Sequence, residues 1–329
     1  MNILITMHEC EEKGIYFPQN TIDGFKKLGN VIMNNSNKPF TEEDLIRNIR
    51  DVDVCVSHWW CPTFTDAVLA NANRLKLIAH AAGSVGFLVT ENVYKKGIKV
   101  CGSNSIMAKY VAEGTLAYML AGLREIPEHD RGMKNKKLWE QYDCNTLFGK
   151  KIGLIGFGSV GVHLVNLLKP FDVKIKVYDP YLKENAFEGC PNMSLSTLDD
   201  TIAWAEVLSI HASQTPETYH LLNREKLNLI KDNALLVNTA RGSIIDEAEL
   251  AGQLKQGRFH AVIDVYEEEP LSVDSPLRNL DHAILIPHMA GKPSRENLTY
   301  GMIEEVGRFL NNEPLKYEIP YDKFKTMTR

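Results

Sequence analysis

Over the first hundred residues, short apolar runs alternate with amphipathic stretches. The runs Asn2–Thr6, Val52–Ser57, Leu75–Ala79 and Lys99–Gly102 read as strands. Between them, Thr41-Glu42-Glu43-Asp44 opens a helix with a Thr cap and an acidic first turn. This βαβα rhythm predicts a small parallel sheet with helices on its faces. The period changes at Asn104. From there to Arg124, Ala108, Val111, Ala112, Thr115, Leu116, Met119 and Leu120 recur at i, i+3, i+4 spacing, the mark of one long helix. A polar stretch, Glu125 to Asn145, ends at Gly149-Lys150-Lys151. A second series of strands then begins: Lys151–Ile155, Val173–Tyr178, Val207–Ile210, Ala234–Asn238, Ala261–Asp264 and Ala283–Ile286. Ser294 to Leu310 is helical again, and Asn311-Asn312-Glu313-Pro314 stops it.

The pattern predicts an α/β protein of two lobes, each a doubly wound parallel sheet, with a cleft between them. A helix after the last strand has no neighbour unless it crosses back to the first lobe. Residues 1–103 plus 291–329 are therefore expected to form one discontinuous domain, and 104–290 the other. The crevice between the lobes is the expected ligand site. There are no internal repeats and no low-complexity tract.

Composition narrows the classes. At 329 residues two domains are the default, and 44% apolar with 24% charged residues is ordinary for a folded soluble protein. The net charge of −5 and the dispersed basic residues argue against nucleic-acid and anionic-membrane partners. The basic cluster Arg131 to Lys137 reads as a solvated face. Cys10, Cys55, Cys61, Cys101, Cys144 and Cys190 are widely spaced, without a C-x-x-C pair, and read as reduced thiols in a cytoplasmic protein. The amino terminus lacks a signal-peptide pattern, and no run approaches the ~18 apolar residues of a membrane span.

The candidate chemistry begins at Gly156-Phe157-Gly158-Ser159-Val160-Gly161. Between a buried strand and an apolar-rich helix, Gly-x-Gly-x-x-Gly holds a pyrophosphate on backbone N–H groups. Gly156 permits the turn, Gly158 lets the backbone approach phosphate, and Gly161 allows close helix–strand packing. Asp179 follows the next strand, 18 residues after Gly161. An acid there accepts hydrogen bonds from ribose hydroxyls and repels a 2′-phosphate, which points to NAD. His211, Thr239-Ala240-Arg241, Asp264 and His288 fall at or just past the carboxyl ends of later strands, where open parallel sheets bind ligands.

The stretches NTARGSIIDEAEL (238–250), VIDVYEEEP (262–270) and IPHMAG (286–291) resemble signatures of the D-isomer-specific 2-hydroxyacid dehydrogenases. So do GKKIGLIGFGSVG (149–161), HASQTPETYHLLN (211–223) and KVCGSNSIMAKYVAE (99–113). The resemblance spans essentially the whole chain. It implies a flavodoxin-like substrate lobe built from both termini, a Rossmann lobe between them, and a homodimer. By the same resemblance Arg241 binds the substrate and polarises its carbonyl, as a planar fork of donors suits. His288 is the general acid that protonates the carbonyl oxygen, and the base in reverse; histidine titrates near neutrality, as that task requires. Glu269 is its partner, Asp264 contacts the nicotinamide, and Gly291 closes the cofactor set. Glu rather than Gln at 269 argues against the related formate dehydrogenases.

The first lobe departs from the pattern. Ala82-Gly83-Ser84-Val85-Gly86 resembles the glycine-containing loop that meets the substrate carboxylate, with Ser84, Val85 and Gly86 as candidate contacts. After the strand ending at Ser57, where the family often has an Arg-Ser or Arg-Thr pair, this chain has His58-Trp59-Trp60-Cys61-Pro62. The absence of basic residues there, and of a regulatory domain after 329, argues against 3-phosphoglycerate. Trp59 or Trp60 is expected to shape a site for a partly apolar or extended 2-oxo acid, with packing between strand and helix as the alternative for either one. Ser159, where relatives often carry Arg, Asn or His, weakens one phosphate contact. The competing function is a non-enzymatic NAD(H)-sensing protein on the same scaffold, like the C-terminal-binding-protein corepressors.

Overall fold

A computed structural model of the chain describes residues 1–136, 139 and 144–328. Lys137, the last residue of the basic cluster, and part of the polar stretch before Asn145 lie outside the described residues. The chain forms two compact units, Met1–Met107 with Ser294–Arg329, and Ala108–Pro293.

In the first unit, β1 (Asn2–Ile5), β2 (Asn30–Met33), β3 (Val54–Ser57), β4 (Leu77–His80) and β5 (Lys99–Gly102) pair in the order β2-β1-β3-β4-β5, all parallel. Successive side chains point to opposite faces. Ile3, Ile5, Val54, Val56, Leu77 and Ala79 meet Phe25 and, from the far end of the chain, Leu298, Met302 and Val306. Leu4, Cys55, Ile78 and Val100 meet Leu45, Ile49, Phe64, Val68 and Leu88 on the other side. Both faces are buried, which is why the inner strands are apolar throughout. The helix Arg295–Leu310 thus joins the first sheet. Thr41 caps the helix Glu42–Asn48: its hydroxyl accepts from Asp44 N at 3.2 Å, and the Asp44 carboxylate accepts from Thr41 N at 2.9 Å.

In the second unit, β6 (Lys151–Ile155), β7 (Lys174–Tyr178), β8 (Met193–Leu195), β9 (Val207–Ile210), β10 (Leu235–Asn238), β11 (His260–Ile263) and β12 (Ala283–Leu285) pair in the order β12-β11-β10-β9-β6-β7-β8, again all parallel. The winding reverses between β6 and β9. Leu154, Val177, Val207 and Val237 pack against Ala112, Met119, Leu123 and Leu164. Ile155, Ile210, Leu236 and Ile263 pack against Ile202, Leu227, Leu250 and Leu254.

The α/β class with parallel sheets is as the pattern implies, and two strands are additional. β2 and β8 are edge strands, three or four residues long and only partly buried, so neither leaves a run of apolar residues. The long helix spans Asn104–Leu123. It is apolar around most of its circumference: Ala108, Ala112, Thr115 and Met119 are buried, while Val111, Leu116 and Leu120 are half-buried.

Candidate active site

β6 ends at Ile155, and Gly156 turns the chain with φ +87°. A Cβ there would stand 2.5 Å from Ala212 N, so the turn after β6 and the loop after β9 touch where the winding reverses. Only glycine supplies both the left-handed conformation and the approach. Gly158 is the N-cap of the helix Ser159–Leu168, and no side chain caps that end. A Cβ on Gly158 would meet nothing within 4 Å. The first-turn N–H groups of Ser159, Val160 and Gly161, at the positive end of the helix dipole, suit an anion. At Gly161 a Cβ would press on the Phe157 ring at 3.0 Å. The tight strand–helix approach falls instead at Gly153, 2.9 Å from Ala205 Cβ. Asp179, just past β7, is tied to this turn: Oδ2 accepts from Phe157 N at 2.8 Å and Oδ1 from Tyr181 N at 2.9 Å. Each oxygen keeps a lone pair for a further donor. An uncapped helix end beside an anchored carboxylate fits a dinucleotide's pyrophosphate and ribose.

The next four strand ends carry the remaining candidates. His211 follows β9; its Nε2 is bonded to Ser209 Oγ at 2.9 Å, and burial pushes its pKa down to about 4, so the ring is neutral. After β10, Thr239 Oγ1 pairs with Thr115 Oγ1 at 2.9 Å. Asn238 braces the same loop, its Oδ1 accepting from Ala240 N and its Nδ2 donating to Arg241 O, both at 3.0 Å. Arg241 donates from Nη1 to Ala240 O at 2.6 Å. Burial lowers its pKa and the Glu269 charge opposes that shift, so the two side chains sit within electrostatic reach.

After β11, Asp264 is 1% exposed. Its oxygens accept from Met289 N (2.7 Å), Ala290 N (3.1 Å) and Tyr118 Oη (3.3 Å). Burial raises its pKa, and those donors and the His288 charge work against the rise. Asp264 therefore pins the segment that carries His288, whose own N–H donates to Asp264 O at 2.8 Å. His288 takes φ +51° and turns Nδ1 onto Glu269 Oε2 at 2.7 Å. Glu269 Oε1 accepts from Tyr266 N at 3.1 Å. Burial pushes the Glu269 carboxyl up, but its bonds to His288 and Tyr266 N and the charges of His288 and Arg241 outweigh that and hold it below the ordinary range. Gly291 follows the pinned segment at the entry to the turn Lys292–Ser294.

Sequence reasoning passed over the residues that hold this group together. Gly242 is one: a Cβ there would lie 1.8 Å from Tyr266 C and 2.1 Å from Tyr266 O. The Arg241 loop thus lies directly on the backbone leading to Glu269. Tyr266 is another, its hydroxyl donating to Ile263 O (3.1 Å) and Ile286 O (3.0 Å) across the exits of β11 and β12. Asn238 and Tyr118 complete the set. Asn238, Gly242 and Tyr266 stood inside the quoted motifs without being singled out, and Tyr118 carried no signal beyond its place on the long helix.

In the first unit, Ser84 Oγ donates to Thr328 O at 2.6 Å and accepts from Gly86 N at 3.1 Å, and Val85 is fully buried. His58 is buried, Trp59 half-buried and Trp60 40% exposed. Among the described residues there is no cluster able to hold a metal ion, and no helix long and apolar enough to cross a membrane.

A parallel sheet with a glycine turn at its winding reversal, and an Arg–Glu–His group past neighbouring strands, has the form of a nicotinamide-linked dehydrogenase. Residues 116–290 match the model of the D-isomer specific 2-hydroxyacid dehydrogenase NAD binding domain. A glyoxylate reductase from Thermofilum pendens is 36% identical over 286 residues, 83% of this chain and 82% of that protein. A D-3-phosphoglycerate dehydrogenase from Methanocaldococcus jannaschii is 34% identical over 278 residues, 83% of this chain; the chain spans only 52% of that relative's length. Among solved structures, the TT0316 protein from Thermus thermophilus superposes with a TM-score of 0.78 at 24% identity, covering 97% of this chain and 100% of that one, a likeness of fold. The chain belongs to the D-isomer specific 2-hydroxyacid dehydrogenases. It is an oxidoreductase of 2-hydroxy acids that works with a nicotinamide cofactor.

Proposed function

We propose that the chain interconverts a 2-oxo acid and a D-2-hydroxy acid with NAD, His288 serving as acid and base. The observation that carries this is the 2.7 Å bond between His288 Nδ1 and Glu269 Oε2. A carboxylate at that distance keeps the proton on Nδ1 and leaves Nε2 as the atom that exchanges a proton with substrate. Glu269, held ionised, favours the imidazolium that must form. Arg241 offers a rigid fork of donors to the acid's carboxylate or carbonyl oxygen. Bound nicotinamide supplies hydride to C2, or accepts it in the reverse direction. His288 donates its proton as charge develops on the C2 oxygen, and recovers it when the alcohol is oxidised.

In this reading the second unit is the NAD domain. Gly156, Gly158, Ser159, Val160 and Gly161 take the pyrophosphate, Asp179 the ribose hydroxyls, and His211, Thr239, Ala240, Arg241, Asp264, His288 and Gly291 line the rest. The first unit, Met1–Met107 with Ser294–Arg329, forms the substrate domain. Its loop offers the substrate carboxylate the N–H groups of Ser84 and Val85, since that of Gly86 is already bonded. The enzyme works in the cytoplasm as a homodimer, on the strength of the family resemblance and of its unpaired thiols.

The test is NADH consumption with glyoxylate, pyruvate, hydroxypyruvate and branched 2-oxo acids, for the wild type, Arg241→Ala and His288→Ala. Turnover with at least one acid and a loss of roughly 10²–10⁴-fold in His288→Ala are expected. Tight NADH binding without turnover of any acid would return the non-enzymatic sensor.

A further inference from the structure

Three histidines and two tryptophans of the first unit take no part in this chemistry. His8 lies three residues beyond β1, His58 directly follows β3, and His80 is the last residue of β4. These are the three central strands of the sheet, and the winding reverses between β1 and β3. Open parallel sheets bind ligands past the carboxyl ends of their strands at such a reversal.

His58 is 1% and His80 0% exposed. Neither ring nitrogen of His58 has a protein hydrogen-bond partner, nor has Nε2 of His80 or Nδ1 of His8. His80 Nδ1 is bonded to Ser57 Oγ at 2.9 Å. Aromatic rings enclose His58, with centroids at 4.4 Å (Trp59), 4.7 Å (Tyr16) and 5.4 Å (Trp60), and Trp60 lies 5.5 Å from His8. The Trp59 indole nitrogen stands 3.8 Å from where a Gly83 Cβ would be, beside the loop Ala82–Gly86. Four buried, unpartnered nitrogens on adjacent strand ends are a steep cost for a core that phenylalanine or leucine would fill without it.

The ring chemistry selects the ligand. A neutral imidazole has one donor and one acceptor nitrogen. A hydroxyl can meet either kind, donating to an acceptor nitrogen or accepting from a donor one, whereas a carboxylate or phosphate only accepts and is repelled by the lone pair of any acceptor nitrogen it faces. Burial holds His58 and His80 down at about 3, with His80 and His8 adding to the effect at His58, so the rings stay neutral.

We infer that the ends of β1, β3 and β4 form a subsite for an uncharged hydroxyl on the substrate's tail, with His58 as its main contact and Trp59 and Trp60 as its walls. This rests on the reading of the chain as a 2-oxo acid reductase. Hydroxypyruvate and pyruvate differ by that one hydroxyl. The wild type is expected to favour hydroxypyruvate in kcat/KM. His58→Phe should cut the preference by about tenfold or more while leaving the melting temperature equal or higher, because it removes the unpartnered nitrogens. His58→Gln, which keeps a donor and an acceptor, should retain part of the preference. Should His58→Phe not fold, His58→Leu is read in its place. Turnover with the preference unchanged in the apolar variant, or absent in the wild type, overturns the subsite alone. No turnover of any acid by the wild type overturns the reductase reading and the subsite with it.

Discussion

Consider Gly242→Ala. The added methyl would sit 1.8 Å from Tyr266 C, 2.1 Å from Tyr266 O and 2.4 Å from Glu267 N, all backbone atoms with no flexible end to swing aside. Ordinary contact begins near ~3.5 Å, so the two loops must part by roughly 1.5 Å. Neither yields alone. The Arg241 side is braced by Asn238 at both Ala240 N and Arg241 O, and the Tyr266 side by the tyrosine hydroxyl on Ile263 O and Ile286 O. Overpacking of this kind costs about 1–3 kcal/mol, or a drop of ~2–10 °C in melting temperature at the scale of this unit. The larger effect falls on rate. Parting the loops moves Arg241 away from Glu269, and a misplacement of ~1 Å costs on the order of 10²-fold. Steady-state kcat/KM with the best acid, NADH affinity by fluorescence and a thermal melt separate the two effects. Expected are a kcat/KM lowered by about 10²-fold, near-normal NADH affinity and a modestly lower melting point. A kcat/KM within about threefold of wild type would show that the tight contact at Gly242 does not set the Arg241–Glu269 geometry.

Two further outcomes follow from charges. His58 and His80 are held by burial at about 3 in the fold and titrate near 6.5 when unfolded. The unfolded chain therefore takes up protons that the native one refuses. Stability is whole above pH ~6.5, falls as pH drops below it, and levels off only near the folded values, with about 2 kcal/mol lost per ring between pH 7 and 5. Urea titrations at the two pH values check this, and His58→Phe should reduce the difference by about 2 kcal/mol, the share of one ring, while His80 and the likewise depressed His211 keep theirs; an equal loss in variant and wild type would exclude His58 as a source. Asp179→Ala should narrow the preference for NADH over NADPH by at least about tenfold, by removing a carboxylate that would face a 2′-phosphate. Kinetics with both cofactors decide it, and an unchanged ratio would move discrimination to another residue.

The inner strands, the capped helix at Thr41 and the glycine turn were legible along the chain because each is written locally, as an apolar run, a capping pair or a spacing of three glycines. The edge strands β2 and β8 were not, since a short strand buried on few sides carries no distinctive run. Arg241, Glu269 and His288 were each visible as polar residues past strand ends or within family motifs. Their assembly was available only as what the family resemblance implied, because contact among three loops that lie 28 and 19 residues apart depends on strand order. That order is set by long-range pairing, which no local pattern encodes. Gly242 shows the difference plainly: in the sequence it is one glycine after an arginine, and only the approach of the Tyr266 backbone makes it irreplaceable. His58 shows the same. Its identity was apparent as a departure from relatives, whereas its burial, its unpartnered nitrogens and its place beside His8 and His80 exist only once β1, β3 and β4 lie side by side. Residue types determined the reaction class, and packing decided which of them meet.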